Sequence, residues 1–135
     1  DERYRGAFDQ VMRTISMMRE RGILIVPGTD MGGSFAYHRE LELFERAGYT
    51  APEVLRLATL GMAEYLGQDE DLGSIEGGKY ADFFLIPGDP TQDLGAIKSI
   101  AMVVANGTVY FPSDIYPHFG ITPFAEAPAI TESED

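Results

Sequence analysis

At 135 residues, with 44% of them hydrophobic and 24% charged, the chain has the make-up of a soluble globular domain and length for one core to one and a half. Twenty-two acidic residues against 10 basic ones leave a net charge of −12, which repels phosphate backbones and anionic headgroups and so argues against nucleic acid and membrane partners. No apolar run reaches the roughly 18 residues a membrane-spanning helix needs; the opening Asp1-Glu2-Arg3 does not read as a signal peptide, and the absence of cysteine excludes a disulfide framework, a thiolate nucleophile and a Cys-type zinc site.

Tyr4, Phe8, Val11, Met12, Ile15 and Met18 recur at spacings of three and four, which predicts an amphipathic helix that stops at Gly22. Ile23-Leu24-Ile25-Val26, bounded by Pro27-Gly28, predicts a short strand buried on both faces. Helix followed by buried strand is the grammar of a parallel α/β sheet. After a loop from Gly28 to Tyr37, the residues Leu41, Phe44 and Ala47 predict a second helix ending near Gly48. Thr50-Ala51-Pro52-Glu53 joins an N-cap threonine, a first-turn proline and a glutamate three positions on, and predicts the start of a third helix. That helix is apolar nearly all round from Val54 to Leu66, so it requires cover on more than one side.

Beyond Gly67 the composition changes to an acidic loop and then to strands expected over Tyr80–Ile86, Ile97–Ala105 and Thr108–Phe111. Asn106-Gly107 joins the last two as a hairpin, because both central residues of a type I′ turn need positive φ. Pro112 to Asp135 reads as a proline-rich strap with a frayed acidic end at Thr131-Glu132-Ser133-Glu134-Asp135.

Few residues have the chemistry to act. Asp30, in Pro27-Gly28-Thr29-Asp30, follows the expected buried strand directly and so stands at its carboxyl edge, where parallel barrels place their chemistry. An aspartate that merely turns the loop is the plainer alternative. The two histidines, His38 and His118, lie eighty residues apart with no H-x-H or H-E-x-x-H pairing, so no self-contained three-ligand metal site is expected. His38 divides between a capping or surface role and a substrate contact; His118 reads as inert. Gly73-Ser74-Ile75-Glu76-Gly77-Gly78-Lys79 imitates a phosphate loop, but Tyr80 replaces the hydroxyl residue and a strand, not a helix, is expected next. Asn106-Gly107-Thr108 has the form of a glycosylation sequon, and the turn accounts for it. Asp69-Glu70-Asp71 lacks calcium-loop spacing, and no Gly-x-Ser-x-Gly is present.

Three blocks together resemble the amidohydrolase superfamily, in its imidazolonepropionase-like and Xaa-Pro dipeptidase-like branch. They are Val26-Pro27-Gly28-Thr29-Asp30; His38-Arg39-Glu40-Leu41 running into Ala47-Gly48-Tyr49-Thr50-Ala51-Pro52-Glu53-Val54-Leu55 and Ala58-Thr59; and Leu72-Gly73-Ser74-Ile75-Glu76-Gly77-Gly78-Lys79-Tyr80-Ala81-Asp82-Phe83-Phe84-Leu85. The resemblance, over about residues 20 to 111, implies the C-terminal portion of a TIM-type (β/α)8 barrel with part of a composite β-sandwich. Residues 1–66 would be barrel, 67–112 sandwich strands, and 113–135 the strap and acidic tail. It also implies a divalent metal, zinc being the expected one, in the complete enzyme, with none bound to this chain alone. Asp30 would then be the catalytic proton carrier and a metal contact, the other ligands being absent from this chain, and His38 would bind substrate. A divalent cation brings the pKa of its water towards about 7, and a fixed carboxylate then works as base and acid.

The function so implied is hydrolysis of carbon–nitrogen bonds in an amide, dipeptide-like or cyclic amide substrate, with the chain inactive until joined by the remainder of the barrel. An unclosed barrel face would leave apolar surface exposed, so self-association is expected and sedimentation would detect it. The rivals are a non-catalytic β-module for binding or assembly, with Asp30 only shaping a turn, and a degenerate amidohydrolase without metal.

Overall fold

The computed structural model describes residues 2–32 and 34–131. The chain divides into two compact units, Asp1–Ser74 and Ile75–Asp135. The first is helical among its described residues, and the second is built on a three-stranded antiparallel sheet, which makes the chain an α/β protein.

In the first unit, α1 spans Glu2–Glu20. It ends where the spacing predicts: the Gly22 N–H donates to the Arg19 carbonyl at 2.9 Å and the Ile23 N–H to the Met18 carbonyl at 3.0 Å. This crossed pair satisfies carbonyls that a helix end would otherwise leave open. Phe8, Met12, Ile15 and Met18 lie half-buried on one side of α1, whereas Tyr4 and Val11 are exposed. The Arg46 guanidinium stands 4.8 Å from the Phe8 ring centroid. The expected stripe is therefore only partly covered, and no residue of α1 is fully buried.

The strand expected over Ile23–Val26 does not form a ladder. These residues run as irregular chain, with Ile23 46% and Leu24 59% exposed. A strand is stabilised by its neighbours' N–H and C=O groups, and among the described residues none is paired with this segment. Only Pro27, at its end, is fully buried.

Helix α2, Ser34–Arg46, begins several residues earlier than the sequence predicts, within the expected Gly28–Tyr37 loop. The missed signal is Tyr37, which continues the stripe Leu41–Phe44 backwards by one turn. Leu41, Phe44 and Ala47 are buried and form the core with Ala51, Val54 and Ala63. Phe44 also packs on Tyr49 with ring centroids 5.3 Å apart.

Helix α3, Ala51–Arg56, starts as the sequence predicts. The Glu53 carboxylate accepts the Thr50 N–H at 2.7 Å while Thr50 Oγ1 accepts the Glu53 N–H at 3.4 Å, a reciprocal capping box. The helical path widens into a π turn at Leu57–Gly61 and closes again as α4, Met62–Leu66. Cover is one-sided: Val54 and Ala63 are buried, and Tyr65 and Leu66 are exposed. Against this segment lies Gly73, at φ +88°, where an added Cβ would stand 2.7 Å from Ala63 Cβ and 2.8 Å from Leu60 Cα. Glycine is needed there for both close approach and backbone conformation.

In the second unit the sheet order is β1 (Phe83–Leu85), β2 (Met102–Ala105), β3 (Thr108–Tyr110). Phe83 pairs with Val104 and Leu85 with Met102; Val103 pairs with Tyr110 and Ala105 with Thr108. Phe84, Val103 and Tyr110 therefore share one face, and Phe83, Val104 and Val109 the other. At the hairpin, Asn106 has φ 49° and Gly107 φ 74°, as the dipeptide predicts. The Asp82 carboxylate accepts the Asn106 N–H at 2.8 Å.

The strand expected from Ile97 begins only at Met102. Leu94–Lys98 is a 3₁₀ turn, capped by the Asp93 carboxylate, which accepts the Gly95 N–H at 2.9 Å. Leu94 and Ile97, three apart, are both buried by that turn, a spacing a strand would have sent to opposite faces. The strap opens with a short helix, α5 (Pro112–Ile115), and a 3₁₀ turn at Tyr116–Phe119. Tyr116 meets Phe124 edge-on at 5.7 Å. Of the acidic end, residues 132–135 lie outside the described residues.

Candidate functional site

The candidate loop runs from buried Pro27 to Gly32, and Asp30 stands exposed at its centre. Two hydrogen bonds define its path. The Gly28 N–H donates to the Glu40 carboxylate at 2.7 Å, so the residue two positions before Asp30 is tied to α2. The Met31 N–H donates to Thr29 Oγ1 at 2.8 Å, a local turn closing across Asp30. Asp30 is thus flanked on both sides by backbone units with defined partners, while its carboxylate is open to solvent.

His38 is on α2 rather than ahead of it and is half-buried; Glu40 follows two residues later. The Tyr37 phenol is pushed up from its ordinary range, first by burial and then by the negative charge of Glu40. Arg39 is taken up by Glu42 at 2.7 Å. His118 is exposed in the other unit, on the 3₁₀ turn Tyr116–Phe119.

A divalent metal needs several convergent donors, and among the described residues no group of three His, Asp or Glu side chains comes together to hold one. Asp30 is a single donor. Among the described residues these side chains alone do not fit a metal centre.

A second polar cluster caps α3. Arg19 Nη2 reaches both Glu53 carboxylate oxygens at 2.9 Å, and its guanidinium stands 5.1 Å from the Tyr49 ring centroid. The Glu53 carboxyl is held below its ordinary range by the Thr50 N–H, then by Arg19 and the Thr50 hydroxyl. With Arg56 and Leu57 these side chains line an open cleft of about 410 Å³. Every charge in it is already matched, Arg56 by Glu64 at 2.9 Å, so the cluster reads as a helix cap and not as a reaction site. Sequence reasoning found the capping box and missed both Arg19 and the Glu40–Gly28 tie.

The Gly73–Lys79 run that imitates a phosphate loop leads into β1 and not into a helix, as its sequence context predicts.

Comparison with known proteins gives a consistent result. Residues 9–110 match the model of the amidohydrolase family. A 5-methylthioadenosine/S-adenosylhomocysteine deaminase of Symbiobacterium thermophilum is 27% identical, the match covering 72% of this chain and 28% of that protein. Among solved structures, a Xaa-Pro dipeptidase with bound methionine in its active site superposes with a TM-score of 0.71 at 28% identity, covering 76% of this chain and 26% of that one. A prolidase-like protein from Bifidobacterium longum gives 0.65 at 39% identity, covering 71% and 25%. The chain therefore spans about a quarter of the length of the relatives it matches.

Proposed function

Because the chain belongs to the amidohydrolase family, we propose that it forms the C-terminal portion of a hydrolase that cleaves carbon–nitrogen bonds in small substrates, with Xaa-Pro dipeptides as the class to test first. The reading is carried by one observation: Asp30 directly follows the Ile23–Pro27 segment in a loop whose backbone is tied to α2. The similarity to a Xaa-Pro dipeptidase supports the substrate class.

Under this proposal Ile23–Pro27 becomes a barrel strand once neighbouring strands from the rest of a longer polypeptide lie beside it. The strand's carboxyl edge then presents Asp30 to the substrate. Water adds to the amide carbon and the carbon–nitrogen bond breaks. The Asp30 carboxylate takes the water's proton as the oxygen–carbon bond forms and returns it to the departing nitrogen, so that acid and amine are released with no net proton change at Asp30. His38 contributes to the substrate pocket. Any metal, with Asp30 as one contact, takes its other donors from outside the described residues.

The test is hydrolysis of a Met-Pro dipeptide by the full-length protein and its Asp30→Asn variant. The amide keeps the shape and removes the proton acceptor, so kcat is expected to fall by roughly a thousandfold. This 135-residue chain by itself is expected to be inactive. Activity retained in the variant would remove Asp30 from the chemistry. Activity towards 5-methylthioadenosine but not the dipeptide would move the substrate class towards that of the Symbiobacterium relative.

A further inference from the structure

We infer that Glu40 is a positioning residue for the loop that carries Asp30, acting through the Gly28 N–H; the inference rests on the proton-carrying role proposed for Asp30. The bond is short, 2.7 Å, and its acceptor is an ionisable carboxyl group. When the acceptor is charged, such bonds are roughly twice as strong as neutral ones. Its two ends differ in secondary structure. Gly28 lies in irregular chain with no ladder partner, whereas Glu40 is mounted on α2, where the next residue, Leu41, and Phe44 one turn on are both buried. The firmer element therefore holds the softer one.

The tie acts at one place in a short span. Pro27 is buried immediately before Gly28, and its ring fixes φ. Beyond Asp30, the Thr29 hydroxyl holds the Met31 N–H. Gly28 has no side chain with which to anchor itself, and nothing within 4 Å would meet a Cβ added there, so packing does not set its position. The hydrogen bond to Glu40 does. Remove it, and the two residues between Pro27 and Asp30 regain rotational freedom, which displaces the carboxylate from the reacting atoms.

The experiment uses the full-length protein with Met-Pro dipeptide as probe. It compares Asp30→Asn, Glu40→Ala, Glu40→Asp and Glu40→Gln, with hydrogen exchange followed over residues 24–32. A misplacement of about 1 Å near the chemistry costs up to about a hundredfold in rate, so Glu40→Ala and Glu40→Asp are expected to lower kcat about tenfold to a hundredfold with KM within about twofold. Exchange in the 24–32 segment should quicken in both. Glu40→Gln retains an acceptor oxygen at the same reach and should recover kcat to within about threefold of the wild type. An inactive Asp30→Asn beside a fully active Glu40→Ala overturns the positioning role and leaves the proposed function standing. An active Asp30→Asn removes both. A rise in KM with kcat unchanged would make Glu40 a substrate contact and overturn the inference equally. Should Glu40→Ala fail to fold, the Asp and Gln variants decide, and equal kcat in those two refutes the tie.

Discussion

Two short apolar runs of similar composition, Ile23-Leu24-Ile25-Val26 and Met102-Val103-Val104-Ala105, end in different states. The second is the central strand of a sheet, paired with β1 on one side and β3 on the other. The first, richer in bulky aliphatic residues, stays irregular with two of its side chains exposed. The difference lies in what is nearby. Met102–Ala105 has a partner two residues away, across a turn that Asn106-Gly107 closes by itself. Ile23–Val26 has helices before and after it, and a parallel partner would have to arrive from elsewhere in the polypeptide. Strand propensity thus records a capacity to pair, and pairing needs a second segment.

The largest effect that would sharpen this contrast is in amide exchange. In this chain the central-strand amides of Val103 and Val104 should exchange roughly a thousandfold more slowly than those of Leu24 to Val26, because unpaired chain opens at almost no cost. Equal protection in the two runs would mean that Ile23–Val26 finds a partner in solution. In the full-length protein the proposed barrel predicts that the contrast disappears.

Next in size is a pair of leucine truncations. Leu94, on the turn leading towards β2, is 1% exposed, and Leu94→Ala should cost about 3 kcal/mol. Leu24 is 59% exposed, and Leu24→Ala should change stability by less than about 0.5 kcal/mol. Denaturant titration of both variants checks this; a comparable loss from Leu24→Ala would break the comparison.

The smallest effect concerns the helix start that follows the unpaired run. Glu53 is held below its ordinary range in the folded chain, so its contribution is present above the unfolded glutamate value of about 4.3 and is lost as pH falls through the lower folded value. Its ion pair with Arg19 is partly exposed, which limits that contribution to well under about 1 kcal/mol. Glu53→Gln should accordingly lower the thermal midpoint slightly at pH 7 and leave it unchanged at the acid extreme, where Glu53 is itself protonated, so that the acid limb flattens. An unchanged acid limb would show that the capping box is energetically silent.

Much of the fold was legible in the sequence wherever a structure closes on itself within a few residues. Thr50 and Glu53 cap each other three positions apart, Gly22 ends α1 against Arg19, and Asn106-Gly107 sets the hairpin. The acidic Asp93 that turned the expected strand at Ile97 into a 3₁₀ turn was equally local, but it competed with a β-branched pattern that reads more strongly. Asp30 could be singled out for what it follows in the chain, whereas the tie from Gly28 to Glu40 spans twelve residues and left no periodic trace.

The sequence by itself determined where helices start and stop and where the chain doubles back, because those hydrogen bonds join groups that cannot diffuse far apart. Tertiary structure alone decided that Ile23–Val26 would remain without a ladder, that one side of α3 and α4 would be covered and the other not, and that α2 would grip the Asp30 loop. Each of these depends on which distant segment comes to lie alongside, and that is set by the packing of Leu41, Phe44, Val54 and Ala63 rather than by any short stretch of sequence.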